Sequence, residues 1–253
     1  YTKHSHNYNP SYFCPELDHC GHYFFFRDKP RQELRNHSID PLLTLFTTFK
    51  PSHEKLHIYS NTLRLWDQLG PNVRRILYCS NPEYSKFNAS GIKEKVLCDF
   101  WTKQITHLSW EIRNVPKFPT GPLPSLPAMF IDAMQYSKSE FYAYANGDIL
   151  FDESLIQTLL SVKKLAKDQD NLLIVGQRTN YQMYESQTIH SISDLASLAI
   201  SGHQFTSFGM DYFITKANQL PWSDFPEFVV GTVSWDCWLL IEGLKQLQIV
   251  IDA

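Results

Sequence analysis

Between residues 42 and 79 the hydrophobic pattern changes period twice. Residues 42–49 are apolar or β-branched at almost every position, as in a strand covered on both faces. Lys50-Pro51-Ser52 ends that run. Leu56, Tyr59, Leu63, Trp66 and Leu69 then recur at steps of three and four, which predicts a helix capped near Ser52 and stopped at Gly70-Pro71. Residues 73–79 read as a second strand, so the segment forms a β-α-β unit with parallel strands and a right-handed crossover.

Ile92, Val96, Leu97 and Phe100 predict a further helix, and residues 105–110 a short strand. Pro116, Pro119, Pro122, Pro124 and Pro127 then predict a long loop, because each removes a backbone donor and fixes its own φ. A helix over 128–138 and a buried strand over 141–145 follow, the latter running into Asn146-Gly147-Asp148. A helix from Asp152 carries Leu155, Leu159, Val162 and Ala166 on one stripe, before a strand at 172–175. From 180 to 232 the pattern weakens to loops, a strand at 212–215, and an aromatic stretch with Trp222, Phe225 and Phe228 that fits either sugar stacking or a core. A helix over 234–247 and a strand start at 249–251 close the chain. Strands alternating with helices predict an α/β fold, a mostly parallel sheet flanked by helices, in one domain over residues 42–253. Residues 1–41 form an irregular N-terminal extension.

At 253 residues, 43% hydrophobic and 19% charged, the chain has material for a large core and too little charge for a disordered polymer. A net charge of -3 argues against nucleic acid as a partner, which would require clustered Lys and Arg. No apolar run reaches the roughly 18 residues that would span a bilayer. Cys14 and Cys20 suit a short disulfide loop; His19 and His22 raise a zinc reading, but the cysteine spacing is too wide for the usual ligand pair. Asn36 and Asn88 each begin an Asn-x-Ser acceptor, compatible with glycosylation in a secretory compartment.

Ligands of open α/β sheets bind beyond the carboxyl ends of the strands, where Asn146-Gly147-Asp148 falls. A carboxylate with an amide two residues earlier can hold a hard divalent cation together with a diphosphate. Asn-Gly is also a strong hairpin-turn signal, although Ile149-Leu-Phe151 leads toward a helix and not a return strand. No glycine-rich phosphate loop is present, which disfavours ATPase and nicotinamide chemistry.

Several short blocks, in order, resemble a group of nucleotide-diphospho-sugar transferases, glycosyltransferases of the GT-A (Rossmann-like) fold. They are Phe46-Thr-Thr-Phe-Lys-Pro51, Asn61-Thr-Leu-Arg-Leu-Trp66, Tyr144-Ala-Asn-Gly-Asp-Ile149, Val175-Gly-Gln-Arg178, Met210-Asp-Tyr-Phe213, Trp235-Asp-Cys-Trp-Leu239 and Val250-Ile-Asp-Ala253. The resemblance implies transfer of a sugar from a nucleotide diphosphate donor, UDP being the first choice, to a glycan or glycoconjugate hydroxyl with a divalent metal, Mn²⁺ or Mg²⁺. It sets the nucleotide against Thr47, Thr48, Phe49 and Lys50, and against Cys79 and Ser80. Asp148 matches the last acid of the family's Asp-x-Asp metal motif, with Asn146 at its first position. Arg178 is assigned to bracing the diphosphate or pairing with Asp148.

Asp236 is the candidate base, with Trp235 and Trp238 beside it, in a segment similar to the Trp-Asp-x-Trp of an inverting Golgi N-acetylglucosaminyltransferase; helix capping is its alternative role. Asp211 is a candidate acceptor contact. The resemblance implies a Golgi lumenal home. Relatives continue past Ile-Asp-Ala into a segment with a metal-binding His, so the chain reads as truncated at its C-terminus. Two rival functions stand: an inactive nucleotide- or glycan-binding pseudoenzyme, and a sugar nucleotidyltransferase, which would need a glycine-rich loop after the first strand.

Overall fold

The computed structural model describes residues 40–49, 54–79, 94–116, 124–166, 171–184, 187–206, 209–231, 235–247 and 249–253. Apart from residues 40 and 41, the N-terminal extension lies outside them, with Cys14, Cys20 and Asn36; so do Lys50, Ser80 and Asn88.

The first β-α-β unit forms as the pattern predicts. Strand β1 (Leu43–Thr48) is buried at every position, helix α1 spans Leu56–Asp67, and β2 (Val73–Cys79) lies parallel to β1. Gly70 takes φ 94°, a left-handed conformation that glycine adopts without steric cost, and turns the chain out of α1. The end of α1 is also held from the core. Arg75 of β2 is 2% exposed and donates to the carbonyls of Trp66 at 2.7 Å, Asp67 at 3.0 Å and Gly70 at 2.6 Å. The buried guanidinium thus adds a second bond to the carbonyls of Trp66 and Gly70, which also accept from Leu69 and Val73 N–H, and binds that of Asp67; burial lowers its pKa and nearby Asp67 counters that effect.

Helix α2 (Glu94–Gln104) precedes β3 (Trp110–Asn114), which starts where the predicted strand was to end. Residues 105–109 are turn because Ile105 and Leu108 close the helix end, Ile105 N–H bonding to Trp101 O and Leu108 N–H to Ile105 O. Ile105 is buried, so its hydrophobicity marks a packed turn and not a strand. Helix α3 (Leu126–Tyr136) begins earlier than predicted, with Pro127 inside its first turn, where a missing N–H costs nothing. Strand β4 (Phe141–Ala145), helix α4 (Ser154–Leu165) and strand β5 (Leu172–Gln177) follow.

The weakly patterned stretch holds more structure than loops. It contains β6 (Thr179–Asn180) paired with β7 (His203–Gln204), helix α5 (Ser193–Ser201) between them, and β8 (Met210–Thr215). Helix α5 has no fully buried residue; Leu195 and Leu198 pack only partly covered beside Ile189 and Ile192, a stripe too short to stand out in the sequence. Helix α6 (Trp235–Gln246) and β9 (Ile249–Asp252) end the chain.

The main sheet has seven strands in the order β3-β2-β1-β4-β8-β5-β9. Every neighbouring pair is parallel except those made by β8, which runs antiparallel to β4 and β5. One face packs Tyr59, Leu63 and Trp66 of α1 and Leu155, Leu159 and Val162 of α4. The other packs Met129, Phe130 and Ala133 of α3 and Trp235, Leu239 and Leu240 of α6. Trp222 and Phe225 join this second core, Trp222 stacking on Phe130 at 3.9 Å with 4% exposure; they are packing residues and not an open sugar platform. The longest helix among the described residues has 12 residues, and none is long and apolar enough to cross a membrane.

Candidate functional site

The carboxyl ends of β1, β2, β4, β5 and β9 and the first residues of antiparallel β8 meet at one edge of the sheet. The chain leaves β4 through a tight turn in which Ile149 N–H bonds to Asn146 O at 3.0 Å. Helix α1 fixes this turn from the side: Thr62 Oγ1 donates to Gly147 O at 2.8 Å and Trp66 Nε1 to Ile149 O at 2.9 Å. A Cβ on Gly147 would lie 2.5 Å from the Phe49 ring, so the turn is pressed against the end of β1 and needs glycine there. Asn-Gly therefore does make a turn, and α4, not a return strand, follows it.

Asn146 is tied at both ends of its amide. Its Nδ2 donates to Asp211 Oδ1 at 2.7 Å, and Tyr144 OH donates to its Oδ1 at 2.9 Å. Burial, with the charges of Asp148 and Asp211 adding to it, pushes the Tyr144 hydroxyl well above the ordinary tyrosine range and keeps it a neutral donor. Asp211, 5% exposed at the start of β8, accepts from Arg178 Nη1 at 2.6 Å through each carboxylate oxygen. Burial raises its pKa, while Arg178 and Asn146 pull the other way. Arg178 thus pairs with Asp211 and not with Asp148. It also donates from Nε to Asn180 Oδ1 at 2.8 Å and lies 3.9 Å over the Phe205 ring.

Asp148 differs from its neighbours in being exposed. Among the described residues its charged partner is Lys55, whose Nζ stands 2.8 Å away, with side-chain exposures of 42% for Lys55 and 37% for Asp148. Such an open pair contributes little stability and can be exchanged. Lys55 sits 93 residues from Asp148, just before α1, and nothing in the motif spacing pointed to it.

At the β1 end, half-buried Phe49 stacks on Tyr59 at 4.3 Å and meets Trp101 edge-on at 5.1 Å; Tyr59 and Trp101 are buried, so Phe49 is the ring of the three that reaches the surface. The side chains of Thr47 and Cys79 are buried, so these two positions offer a ligand mainly backbone. Asp236 lies in the first turn of α6, half-buried, and its Oδ1 accepts from Cys237 N–H at 2.9 Å, the amide of the next residue and not one two or three residues on as in an N-cap. Because α6 leads directly into β9, which starts at the opposite edge, its first turn stands at the carboxyl edge. Trp235 is 5% exposed and packs edge-on against Tyr144, while Trp238 packs on Phe225 and Phe228.

A cleft of 560 Å³ opens beside Asp148 and Arg178 and runs between α4 and the segment that carries α5. Its floor, Leu155, Ile174 and Ile214, belongs to the α1/α4 face of the sheet, whereas Trp235 belongs to the α6 face. Asp236 and the cleft thus share an edge and lie on opposite sides of it.

The mostly parallel seven-stranded sheet, with helices on both faces, is the α/β architecture that the alternating strand and helix periods predict. No family model and no curated protein matches the sequence. Solved structures that resemble it include a Desulfovibrio desulfuricans G20 protein assigned as a nucleotide-diphospho-sugar transferase, 8% identical with a TM-score of 0.47 over 84% of this chain and 80% of that one. Another is the mannosyltransferase PcManGT from Pyrobaculum calidifontis in complex with GDP-Man and Mn²⁺, 11% identical with a TM-score of 0.46 over 88% of this chain and 58% of that one. A third is 4-diphosphocytidyl-2C-methyl-D-erythritol synthase from Anaerococcus prevotii DSM 20548, 12% identical with a TM-score of 0.44 over 84% and 89%. The chain spans less than two thirds of the mannosyltransferase.

Proposed function

We propose that the protein transfers a glycosyl group from a nucleotide diphosphate donor to a hydroxyl acceptor. The observation that carries this reading is the exposed Asp148, held by a rigid turn between the aromatic end of β1 on one side and the cleft on the other. The nucleotide would lie toward Thr48 and Phe49, with UDP the first choice, and the acceptor toward the α6 side of the edge, where Asp236 stands. A nucleotidyltransferase has less support, since the residues after β1, from Phe49 to His53, contain no glycine.

The donor set fits a metal that arrives with the diphosphate, and not a resident one. Among the described residues no three His, Cys, Asp or Glu side chains stand together as a metal site. Asn146 and Asp211 are already committed to hydrogen bonds, which leaves Asp148 as the protein ligand. Mg²⁺-like cations are commonly held by one or two carboxylates and the substrate's phosphates. Such a metal would neutralise charge on the departing diphosphate. Lys55 must release Asp148 for this and then faces the diphosphate itself.

In the transfer, the acceptor oxygen forms a bond to the anomeric carbon as the bond to the diphosphate oxygen breaks, and the electron pair leaves with the diphosphate. Asp236 is the proposed base for the acceptor proton; its support is its place at the same edge. A single displacement of this kind inverts the anomeric centre. Arg178, occupied by Asp211, acts as a brace of the site and not as a free phosphate ligand. A Golgi lumenal home, glycans at Asn36 and Asn88 and a Cys14–Cys20 bridge complete the proposal.

The test is a melting-temperature screen of nucleoside diphosphates with and without Mn²⁺. Ligand at a hundredfold excess over its Kd stabilises a native state by about 2.7 kcal/mol. The Asp148→Asn variant should lose the Mn²⁺-dependent part of the shift and keep its fold. No shift with any nucleoside diphosphate overturns the proposal.

A further inference from the structure

The charges at the carboxyl edge form two pairs that differ in how firmly they hold. Asp211 is 5% exposed and is bound through both oxygens by Arg178. Asp148 and Lys55 are open to solvent and joined by a single contact, Lys55 Nζ donating to Asp148 Oδ2. An ammonium has three N–H donors, and among the described residues Lys55 uses one of them. Of the two pairs, this is the one that a ligand can open.

A second observation is where Lys55 stands. Strands β1 and β4 are adjacent and parallel, with Phe46 opposite Tyr144, so their carboxyl ends lie side by side. Helix α1 touches both ends: Tyr59 stacks on Phe49 beyond β1, and Thr62 donates to Gly147 O beyond β4. Lys55 is one turn before Tyr59, whose N–H bonds to Lys55 O at 3.0 Å, and its ammonium reaches across to Asp148. A donor with its nucleoside at Thr48 and Phe49 and its metal at Asp148 carries its diphosphate between those points, past the Lys55 ammonium. The N-terminus of α1 adds the positive end of its dipole there.

We propose that Lys55 is a diphosphate-binding residue held in reserve by Asp148: the carboxylate keeps the ammonium until a metal replaces it, and so makes tight donor binding depend on the metal. This rests on the transferase reading and names the residue that controls its diphosphate site. When the metal comes with the diphosphate, Asp148 exchanges one cation for another and Lys55 turns to a phosphate oxygen, so every charge keeps an opposite neighbour. Without the metal, Lys55 reaches the phosphates only by leaving a bare carboxylate beside them, and the two negative groups repel. Asp148 therefore opposes metal-free binding of the same ligand whose metal it holds.

The experiment is calorimetric titration with UDP and with GDP, each in EDTA and in Mn²⁺, of the wild-type protein, Asp148→Asn, Lys55→Gln and the double variant. Both side chains are on the surface, so neither change removes packing. In EDTA, Asp148→Asn should bind the nucleotide about tenfold more tightly than wild type, the scale of one hydrogen bond to a charged group, and adding Lys55→Gln should erase that gain. In Mn²⁺, Asp148→Asn should bind more weakly than wild type. The reversal of sign separates an exchange of partners from structural damage, which would lower binding in both solutions. No gain in EDTA, a gain that survives Lys55→Gln, or unchanged binding in Mn²⁺ overturns the proposal. If the wild-type protein binds UDP or GDP with Mn²⁺ and the gain in EDTA is missing, the role of Lys55 falls and the transferase reading stands. If it binds neither nucleotide, the transferase reading falls, and the role of Lys55 with it.

Discussion

Arg178 Nη1 donates to both carboxylate oxygens of Asp211, 2.6 Å from each, and so joins the residue that follows β5 to the start of β8. The pair has one buried and one half-buried partner, with side-chain exposures of 6% for Asp211 and 31% for Arg178. The same guanidinium reaches Asn180 and covers Phe205, while Phe205 N–H bonds to Arg178 O at 3.0 Å. One side chain thus fastens both ends of the α5-bearing segment to the sheet.

Arg178→Met should cost about 2–3 kcal/mol, because it removes charge-assisted hydrogen bonds and leaves a buried carboxylate without its cation. Adding Asp211→Asn to that variant should restore part of the loss. Urea unfolding of the single and double variants measures both; additive effects would mean that the pair is not coupled.

The pH dependence of this pair has a definite sign. Burial holds the Asp211 pKa above the ordinary value of 3.8 despite Arg178 and Asn146, so the folded state binds this proton more readily than the unfolded chain. The resulting stabilisation is present below pH 3.8 and is lost as pH rises through the folded-state value. Relative to Asp211→Asn, the wild-type protein should therefore lose stability upward from that point. A difference that instead grows with pH would mean that the ion pair outweighs burial. Asp252 has the same direction, also from burial, and cancels in this comparison.

Much of the fold is legible in the hydrophobic periods. The strands at 73–79 and 141–145 begin where the pattern puts them, because each buries a run of side chains that its own period specifies; helix α1 starts at Leu56, the first residue of its stripe, but its N-cap is Lys55 and not Ser52. The Ile105 turn and α5 escape for opposite reasons: the first buries an apolar residue without regular structure, and the second has regular structure with its apolar residues Leu195 and Leu198 only partly covered. At the candidate site, the Asn146-Gly147-Asp148 turn can be read from local sequence. The partners that set its electrostatics cannot, since Lys55–Asp148 and Asn146–Asp211 span 93 and 65 residues and depend on strand order.

Gly176→Ala should be poorly tolerated. A Cβ there would meet Tyr212 OH at 1.8 Å and Ala253 O at 2.3 Å, contacts that require the ring or the β9 end to move. Tyr212 OH also donates to Ala253 O, so displacing the ring breaks the bond that holds this end. A loss of about 1–3 kcal/mol is expected, as for other overpacked sites. Hydrogen exchange should show it first in β9, and pairing the change with Tyr212→Ala should recover part of it.

Asn61 on α1 should control the order of the segment at 187–192. Its Nδ2 donates to Gln187 O at 3.2 Å and its Oδ1 accepts from Ile189 N–H at 2.9 Å. Arg64 donates to Ile189 O, and Gln68 bonds to His190 O and Ile192 N–H, so three positions on one helix side hold the segment. Asn61→Ala should speed amide exchange at Ile189 markedly while β1 and β4 exchange as before, with a global cost of about 1–3 kcal/mol for the buried groups left unpaired. Unchanged exchange at Ile189 would mean that Arg64 and Gln68 suffice.

The antiparallel course of β8 has a consequence for how this protein can diversify. Strands β5 and β8 are adjacent, with Gln177 opposite Met210, so everything from residue 178 to 209 is topologically the loop of a single β-hairpin. Lengthening, shortening or exchanging that loop leaves the order and register of the seven strands intact. The part of the molecule that roofs the cleft is therefore a detachable module, and recombination or design at its two roots could give one sheet many specificities.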